Sequence, residues 1–304
     1  KPVPAVIQAT KMGLFFILHR ETGVPLFEGE ERPVPQSGAP GETLSPTQPF
    51  PVKPPPLVRH SLSPEDAWGI TPFDRRSCRK KIEALRNDGI YTPPTLQGSL
   101  MYPGNAGGSN WGSVAVEPER QILISNVSDF PFAGTLLPRE SYEQARRENP
   151  GVEIVPQKGT PYAMRREVVR SPLGVPCNSP PWGTLAAVDL GSGEIRWQVP
   201  FGTIRDIAPI PLPIKLGTPS VGGPLVTAGG LVFIGAAMDD YLRAFDVESG
   251  EELWKSRLPA GGQATPMSYR VRPGGKQYVV IAAGGHGTGG TRLGDFIVAF
   301  ALRD

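Results

Sequence analysis

Short apolar runs rich in β-branched side chains recur along the chain, each bounded by glycine, proline or a polar turn. Trp111-Gly-Ser-Val-Ala-Val116, Gln121-Ile-Leu-Ile-Ser125 and Thr184-Leu-Ala-Ala-Val188 are of this kind. So are Gly223-Pro-Leu-Val-Thr227, Gly230-Leu-Val-Phe-Ile-Gly235, Tyr278-Val-Val-Ile-Ala-Ala283 and Phe296-Ile-Val-Ala-Phe300. Runs this short, punctuated this often, predict strands rather than helices.

The runs are organised by a repeat. Ala187-Val-Asp189-Leu-Gly-Ser-Gly193-Glu-Ile-Arg-Trp197 aligns without gaps on Ala244-Phe-Asp246-Val-Glu-Ser-Gly250-Glu-Glu-Leu-Trp254. A degenerate copy, Ile17-Leu-His19-Arg-Glu-Thr-Gly23-Val-Pro-Leu-Phe27, keeps the glycine and has phenylalanine in place of tryptophan. Asp accepts hydrogen bonds from a turn's backbone, glycine supplies a positive φ, and the outgoing strand carries a large aromatic on one face. The pattern is a hairpin with an aromatic docked at the same place in every unit. With the two glycine-bounded runs ahead of the second copy, each unit predicts a four-stranded propeller blade. About four blades are legible, and the count favours half of an eight-bladed ring over a closed ring of four.

Two stretches interrupt the repeat. Residues 29–62 are proline-rich and aperiodic, which predicts an extended surface path. Ser63-Pro-Glu-Asp66 predicts a helix start ahead of Ile82 and Leu85. Residues 138–172 are charged, and Glu140-Ser-Tyr-Glu-Gln-Ala-Arg-Arg147 predicts a short exposed helix within a long loop. The chain therefore reads as one unit, 1–304, with surface excursions at about 29–95 and 128–182. Long insertions on a propeller face usually serve access or partner contact.

Composition changes this picture little. Glycine (37) and proline (36) are abundant in the 304 residues, as a turn-dense all-β chain requires. The formal charge of +2 argues against nucleic acid as a partner, because no basic stripe is present to release counterions. The run Arg75, Arg76, Arg79, Lys80, Lys81 reads as a solvated helix face. No apolar stretch is long enough to span a membrane, and the start without Met points to further sequence upstream. Cys78 and Cys177 are either buried thiols or a long-range disulfide.

Candidate chemistry is sparse. No nucleophile elbow, zinc-protease helix or Walker loop occurs, and no metal-ligating cluster is evident. The glycine-rich Gly284–Gly294 follows a strand but precedes no helix, so it is a poor phosphate cradle. It holds His286, where glycines let a ligand approach closely. Lys11 sits between two strand-like runs, and Asp239 and Asp240 open another; exposure and turn capping account for these as well as chemistry does.

The tryptophan-terminated repeat resembles the docking motif of quinoprotein dehydrogenases. Leu258-Pro-Ala-Gly-Gly-Gln263-Ala-Thr-Pro-Met267, Tyr278-Val-Val-Ile-Ala-Ala-Gly-Gly-His286-Gly and Gly294-Asp295 resemble the tail of the membrane-bound, pyrroloquinoline quinone (PQQ)-dependent branch that contains glucose and quinate/shikimate dehydrogenases. Ser45-Pro-Thr-Gln-Pro-Phe50, Trp68-Gly, Thr92-Pro-Pro94, Tyr102-Pro-Gly-Asn105 and Leu173-Gly-Val-Pro-Cys177 fit as well. The resemblance spans essentially the whole chain and implies the C-terminal half of an eight-bladed propeller. It further implies a periplasmic position on the bacterial inner membrane, with anchoring helices upstream. The activity implied is oxidation of a sugar or polyol by PQQ with a divalent cation, calcium or magnesium, and electron transfer to ubiquinone. By this resemblance Lys11, Asn105 and Asp239 bind cofactor, with Asp239 close to Lys11; His286 recognises substrate, and Trp197 and Trp254 dock the blades. The general-base aspartate and most metal ligands fall upstream, in the N-terminal half of the same protein, so this chain carries one wall of the site. A non-catalytic propeller scaffold of outer-membrane assembly is the alternative of another class.

Overall fold

The structure, a computed structural model, describes residues 3–112, 114–287 and 289–302. In chain order the first elements are β1 (Ala5–Ala9), β2 (Phe15–His19), β3 (Gly29–Pro33), β4 (Thr47–Pro51) and helix α1 (Pro72–Glu83). Then come β5 (Ser99–Met101), β6 (Val114–Glu117), β7 (Ile122–Ser128), β8 (Phe132–Pro138), helix α2 (Tyr142–Glu148), β9 (Glu153–Val155) and β10 (Tyr162–Val168). Next are β11 (Gly183–Asp189), β12 (Ile195–Pro200), β13 (Leu225–Val226), β14 (Leu231–Ile234), β15 (Tyr241–Asp246) and β16 (Glu252–Arg257). The last strands are β17 (Met267–Arg270), β18 (Gln277–Ala283) and β19 (Phe296–Ala301).

The repeat appears in its simplest form in the antiparallel sheet β13-β14-β15-β16, whose strands follow chain order. The sheet β6-β7-β11-β12 has the same plan, except that the chain leaves after β7 and returns at β11. Strands β17-β18-β19 form the following sheet, and β1-β2 form a two-stranded sheet at the start. This is the all-β propeller arrangement expected, as part of a ring.

Period-two alternation stacks the sheets. Ile122 and Ile124 of β7, with Leu185 and Ala187 of β11, pack on Val232, Ile234 and Phe245 of the next sheet. Leu123, Val127, Ala186 and Val188 point the other way, onto Phe15 and Leu57. Both faces of β7 and β11 are thus buried, and their near-continuous apolar runs follow from that. Leu242 joins Val279 and Ile281 in the next layer.

The motif turns behave as their residues dictate. Asp189 Oδ1 accepts from the Gly191 and Ser192 N–H groups at 2.9 and 2.8 Å, and Asp246 Oδ1 from Glu248 and Ser249 at 3.0 and 2.8 Å. Gly193 and Gly250 both have φ of 72°. They also seat the neighbouring blade. A Cβ on Gly250 would lie 2.6 Å from Trp197 Cε3, and one on Gly193 would lie 3.1 Å from Phe27 Cε1. Trp197 Nε1 donates to Val247 O at 3.0 Å. Trp254 meets Phe300 edge-on at 5.2 Å and stays 39% exposed.

The interrupting segments carry more structure than their composition suggests. Strands β3 and β4 pair within the proline-rich stretch. At Ser63 the expected helix lasts one 3-10 turn, Pro64–Asp66, closed by Asp66 accepting from the Ser63 N–H. Ala67 then turns extended, and the α-helix starts afresh at Pro72 with Thr71 accepting from Asp74 N–H. Residues 138–172 contain the exposed α2, as expected, but the surrounding loop is β9 and β10, which join β5 and β8 in a sheet ordered β5-β8-β10-β9. Cys78 of α1 and Cys177 form a disulfide with both residues fully buried, which settles the alternatives left open for them.

Antiparallel succession places the loops. Connections alternate between ends, so the motif turns share one end with the β6–β7 and β13–β14 turns. The β1–β2, β14–β15 and β18–β19 loops, the β7–β11 insertion and the blade-to-blade connectors share the other.

Candidate functional site

Lys11, Asp239 and His286 all lie at that second end, each in the loop between the second and third strands of its own blade, as the motif copies align. Lys11 is the tip residue between β1 and β2. Its turn is closed by Gly13 N–H donating to Thr10 O at 2.9 Å, and clamped by His60 Nε2 donating to Met12 O at 2.7 Å. Ser109 N–H donates to Thr10 O at 3.2 Å, and Gly108 lies so close that a Cβ would sit 2.1 Å from Lys11 O. The ammonium donates to Asn110 Oδ1. Asn110 Nδ2 is itself engaged with Ala106 O at 3.1 Å, which fixes the amide with its oxygen toward the lysine. Burial holds the Lys11 pKa below its ordinary value, because a partly desolvated ammonium is less favourable.

Asn105 is in the same loop as Asn110, but among the described residues it makes no hydrogen bond to Lys11. Among the described residues its Oδ1 is buried without a partner, as is Ser109 Oγ. Buried polar atoms left unpaired are uncommon, and two in one glycine-rich loop mark a place where a polar ligand fits. Trp111 follows at 64% exposure.

Asp239 is fully buried and occupied. Arg243 donates to its two carboxylate oxygens at 2.8 and 2.5 Å, and Thr203 donates through N–H and Oγ1 at 2.8 and 2.7 Å. Among the described residues Asp239 makes no ion pair with Lys11. Its ion pair is with Arg243, itself 2% exposed, rather than with the Lys11 that the resemblance puts nearby. Asp240 faces Asp206 and Arg257; burial, then the Asp206 charge, pushes its carboxyl up.

His286 sits in the β18–β19 loop. Its Nδ1 accepts from Gly289 N–H at 2.9 Å, and its own N–H donates to Thr291 Oγ1 at 2.7 Å. With Nδ1 an acceptor, the neutral ring carries its proton on Nε2. Gly285 N–H donates to Gly261 O at 2.8 Å, and Gln263 Nε2 donates to Ala237 O at 2.8 Å. Gly222 backs onto Gln263, and Gly112 onto Gly222 and Gly223. The loops bearing Lys11, Asn105, Asp239 and His286 are thereby linked into one contiguous rim. Among the described residues no group of three or more His, Cys, Asp or Glu is placed to hold a metal ion.

Sequence reasoning passed over Asn110, Thr203 and Arg243. Arg243 had a signal: a lone cation among Leu242, Ala244 and Phe245 in a buried strand requires a buried partner. Asn110 had only its position, directly before the exposed Trp111.

The family described as "PQQ: Glucose/ethanol/alcohol dehydrogenase, beta-propeller domain" matches residues 1–279. The chain belongs to this family. It is 44% identical over 318 residues to quinoprotein glucose dehydrogenase of Escherichia coli, covering 99% of this chain and 39% of that protein. Quinate/shikimate dehydrogenase (quinone) of Acinetobacter baylyi is 43% identical over 309 residues, covering 98% of this chain and 38% of the relative. The chain thus spans about two-fifths of the length of these relatives. Among solved structures, quinohemoprotein alcohol dehydrogenase from Comamonas testosteroni aligns over 99% of this chain and 36% of its own, with TM-score 0.53 and 22% identity. A europium-containing methanol dehydrogenase aligns over 93% and 37%, with TM-score 0.53 and 21% identity. Those two likenesses concern the fold.

Proposed function

We propose that the protein of which this chain is part oxidises a CH–OH group of a sugar or polyol, with glucose to gluconolactone as the leading reaction, using PQQ and passing electrons to ubiquinone. The observation that carries the reading is the clamped, partly desolvated Lys11 beside two unpartnered buried polar atoms, on the rim that also bears His286. These residues suit PQQ, an anionic, oxygen-rich ligand. Lys11 and Asn105 would hold it, with Asn110 setting the lysine's direction. When bound, PQQ supplies the acceptor for hydride from the substrate's carbinol carbon.

The chain's own part is electrostatic. Lys11 would hold a positive donor toward an oxygen of the bound quinone, where negative charge would accumulate on reduction; in a site closed to water such a donor is worth several kcal/mol. His286, its Nδ1 satisfied by Gly289, turns Nε2–H toward a substrate hydroxyl. Asp239 shapes the neighbouring loop through Arg243 and Thr203. The general base belongs to the N-terminal half, as do ligands for a calcium or magnesium ion. The reading places the protein on the periplasmic side of the bacterial inner membrane, with anchoring helices upstream; no described helix is long and apolar enough to cross a membrane.

Quinate or shikimate is the second substrate reading, supported by 43% identity to a quinate/shikimate dehydrogenase, nearly the 44% to a glucose dehydrogenase. A non-catalytic scaffold has no use for the clamped lysine, and family membership weighs against it. The test is reconstitution of the full-length protein with PQQ and calcium, followed by dye reduction with glucose, quinate and glycerol. Turnover of one of them supports the reading; turnover of none defeats it. The 304-residue chain alone, with the same additions, is expected to be inactive.

A further inference from the structure

Helix α1 is held rigidly on one side and left bare on the other. Its buried side is Asp74, Cys78 and Ile82, spaced four apart, with Cys78 bonded to Cys177. Its opposite side, by the 100° step of the helix, is Phe73, Arg76 and Lys80. Phe73 is 86% exposed, and Ile70 and Leu173 beside it are 61% and 58% exposed. Ile70 and Leu173 are pinned through their backbones. Asp74, 3% exposed, accepts from Ile70 N–H at 3.0 Å and from Leu173 N–H at 3.2 Å. A buried carboxylate thus ties the backbones of Ile70 and Leu173 to the start of α1, next to Phe73, in segments that leave and re-enter the sheets at the end bearing the site.

The charges beside this tip are mainly positive. A surface groove of about 520 Å³ runs between Pro64 and Pro72 and is lined by Arg75, Arg76, Arg79 and Lys80, with Glu83 at its edge. Glu83 and Glu65 are tied to Arg79. Arg75 donates to the carbonyls of Ala67 and Glu65, and Lys81 donates to Arg170 O. Among the described residues Arg76 and Lys80 have no partner, and they share the face of Phe73. Aromatic and aliphatic side chains that project past a row of lysine and arginine fit the boundary between lipid headgroups and acyl chains.

We propose that the Ile70–Phe73–Leu173 tip and the outward face of α1 dock on an anionic lipid bilayer, with Arg76 and Lys80 at headgroup phosphates. A membrane to dock on is the one element shared with the proposed function. The contact would turn the rim end of the propeller toward the bilayer and restrain a domain that spanning anchors leave free to swing.

The test uses the full-length protein in vesicles of brominated phosphatidylcholine, with and without phosphatidylglycerol. Tryptophan emission of Phe73→Trp is read against the unsubstituted protein, and hydrogen exchange is followed over residues 70–82 in the unsubstituted protein. The added emission should be quenched about twofold or more in anionic vesicles, with exchange slowed at least tenfold relative to detergent. The pair Arg76→Glu/Lys80→Glu should reverse both. Absent quenching overturns the proposal, as does quenching equal in neutral and anionic vesicles. Protection that rises with protein concentration, or that persists in detergent, identifies a protein partner or a second copy and overturns it too. Dye-linked turnover should be unchanged in these variants, so a failure here leaves the PQQ reading standing, and a failure of turnover leaves this one.

Discussion

The two ends of the sheets are built on different principles. At the motif end the two Asp-bearing turns are short, each Asp caps its own backbone, and each glycine receives the aromatic of the preceding blade: Phe27 on Gly193, Trp197 on Gly250. At the rim end no two loops are alike. One is a five-residue lysine loop, one carries strands and half of the disulfide, one holds a buried ion pair, and one is a glycine-rich histidine loop. Repetition marks where the ring is held together; irregularity marks where the proposed site lies. A substitution at the motif end should therefore cost stability, and one at a functional rim residue should cost activity.

The largest expected effect is at the motif end. Trp197 is 9% exposed and bonded to Val247 O, so Trp197→Ala should lower unfolding free energy by about 3–5 kcal/mol. Trp254→Ala, at a position 39% exposed, should cost about 1 kcal/mol. Denaturant midpoints of the two variants measure the difference. Equal losses would mean that the ring is not held by the interlock of tryptophan and glycine.

The second prediction tests whether the rim is purely functional. Asp239→Asn leaves Arg243 buried with, among the described residues, only the 3.4 Å contact of its Nε with Glu252 Oε2 as an ion pair, and should cost about 3 kcal/mol of stability. If Asp239 acts instead as the lysine's counter-charge, stability would hold while dye-linked turnover of the reconstituted full-length protein fell. Thermal unfolding and turnover of the same preparation separate the two.

How much of this was legible beforehand follows the same division. The motif end could be read because its physics is local: an Asp, a glycine with positive φ and an aromatic at fixed spacing determine the turn and the seat together. The rim could be read only as far as a resemblance reached. That named Lys11, but its partner Asn110 lies 99 positions away in sequence, and no local pattern encodes such a contact. Asp239 shows the same limit, since whether it faces Lys11 or Arg243 depends on how loops pack. The sheet β5-β8-β10-β9 was hidden for a related reason. Its strands come from both sides of β6 and β7, and charged residues such as Arg165, Arg166 and Glu167 occupy β10, so no clean apolar alternation announces it.

Lys11→Gln should divide stability from activity most cleanly. The ammonium is partly desolvated and its pKa is lowered by burial, so replacing it with a neutral amide should change stability by less than about 1 kcal/mol. Turnover of the reconstituted full-length protein should fall about 100-fold, the loss typical of one donor to a developing negative charge. A fall confined to KM, with kcat kept, would make Lys11 a binding residue only.

The smallest effect is a pH dependence in the clamp beneath Lys11. His60 is buried against the Met12 carbonyl, and burial holds its pKa below the ordinary 6.5 despite that hydrogen bond and the Asp129 charge. The folded chain therefore binds this proton less readily than the unfolded chain does. Stability from a neutral His60 is complete above about pH 6.5 and declines as pH falls toward the lowered folded value, because the unfolded state protonates first. His60→Gln retains a donor for the Met12 carbonyl but removes the titration. Its stability should thus fall less than the parent's between about pH 7.5 and about pH 5.5, measured by denaturant midpoints at the two values. Parallel declines in the two proteins would assign the acid sensitivity to other groups and leave the clamp indifferent to pH.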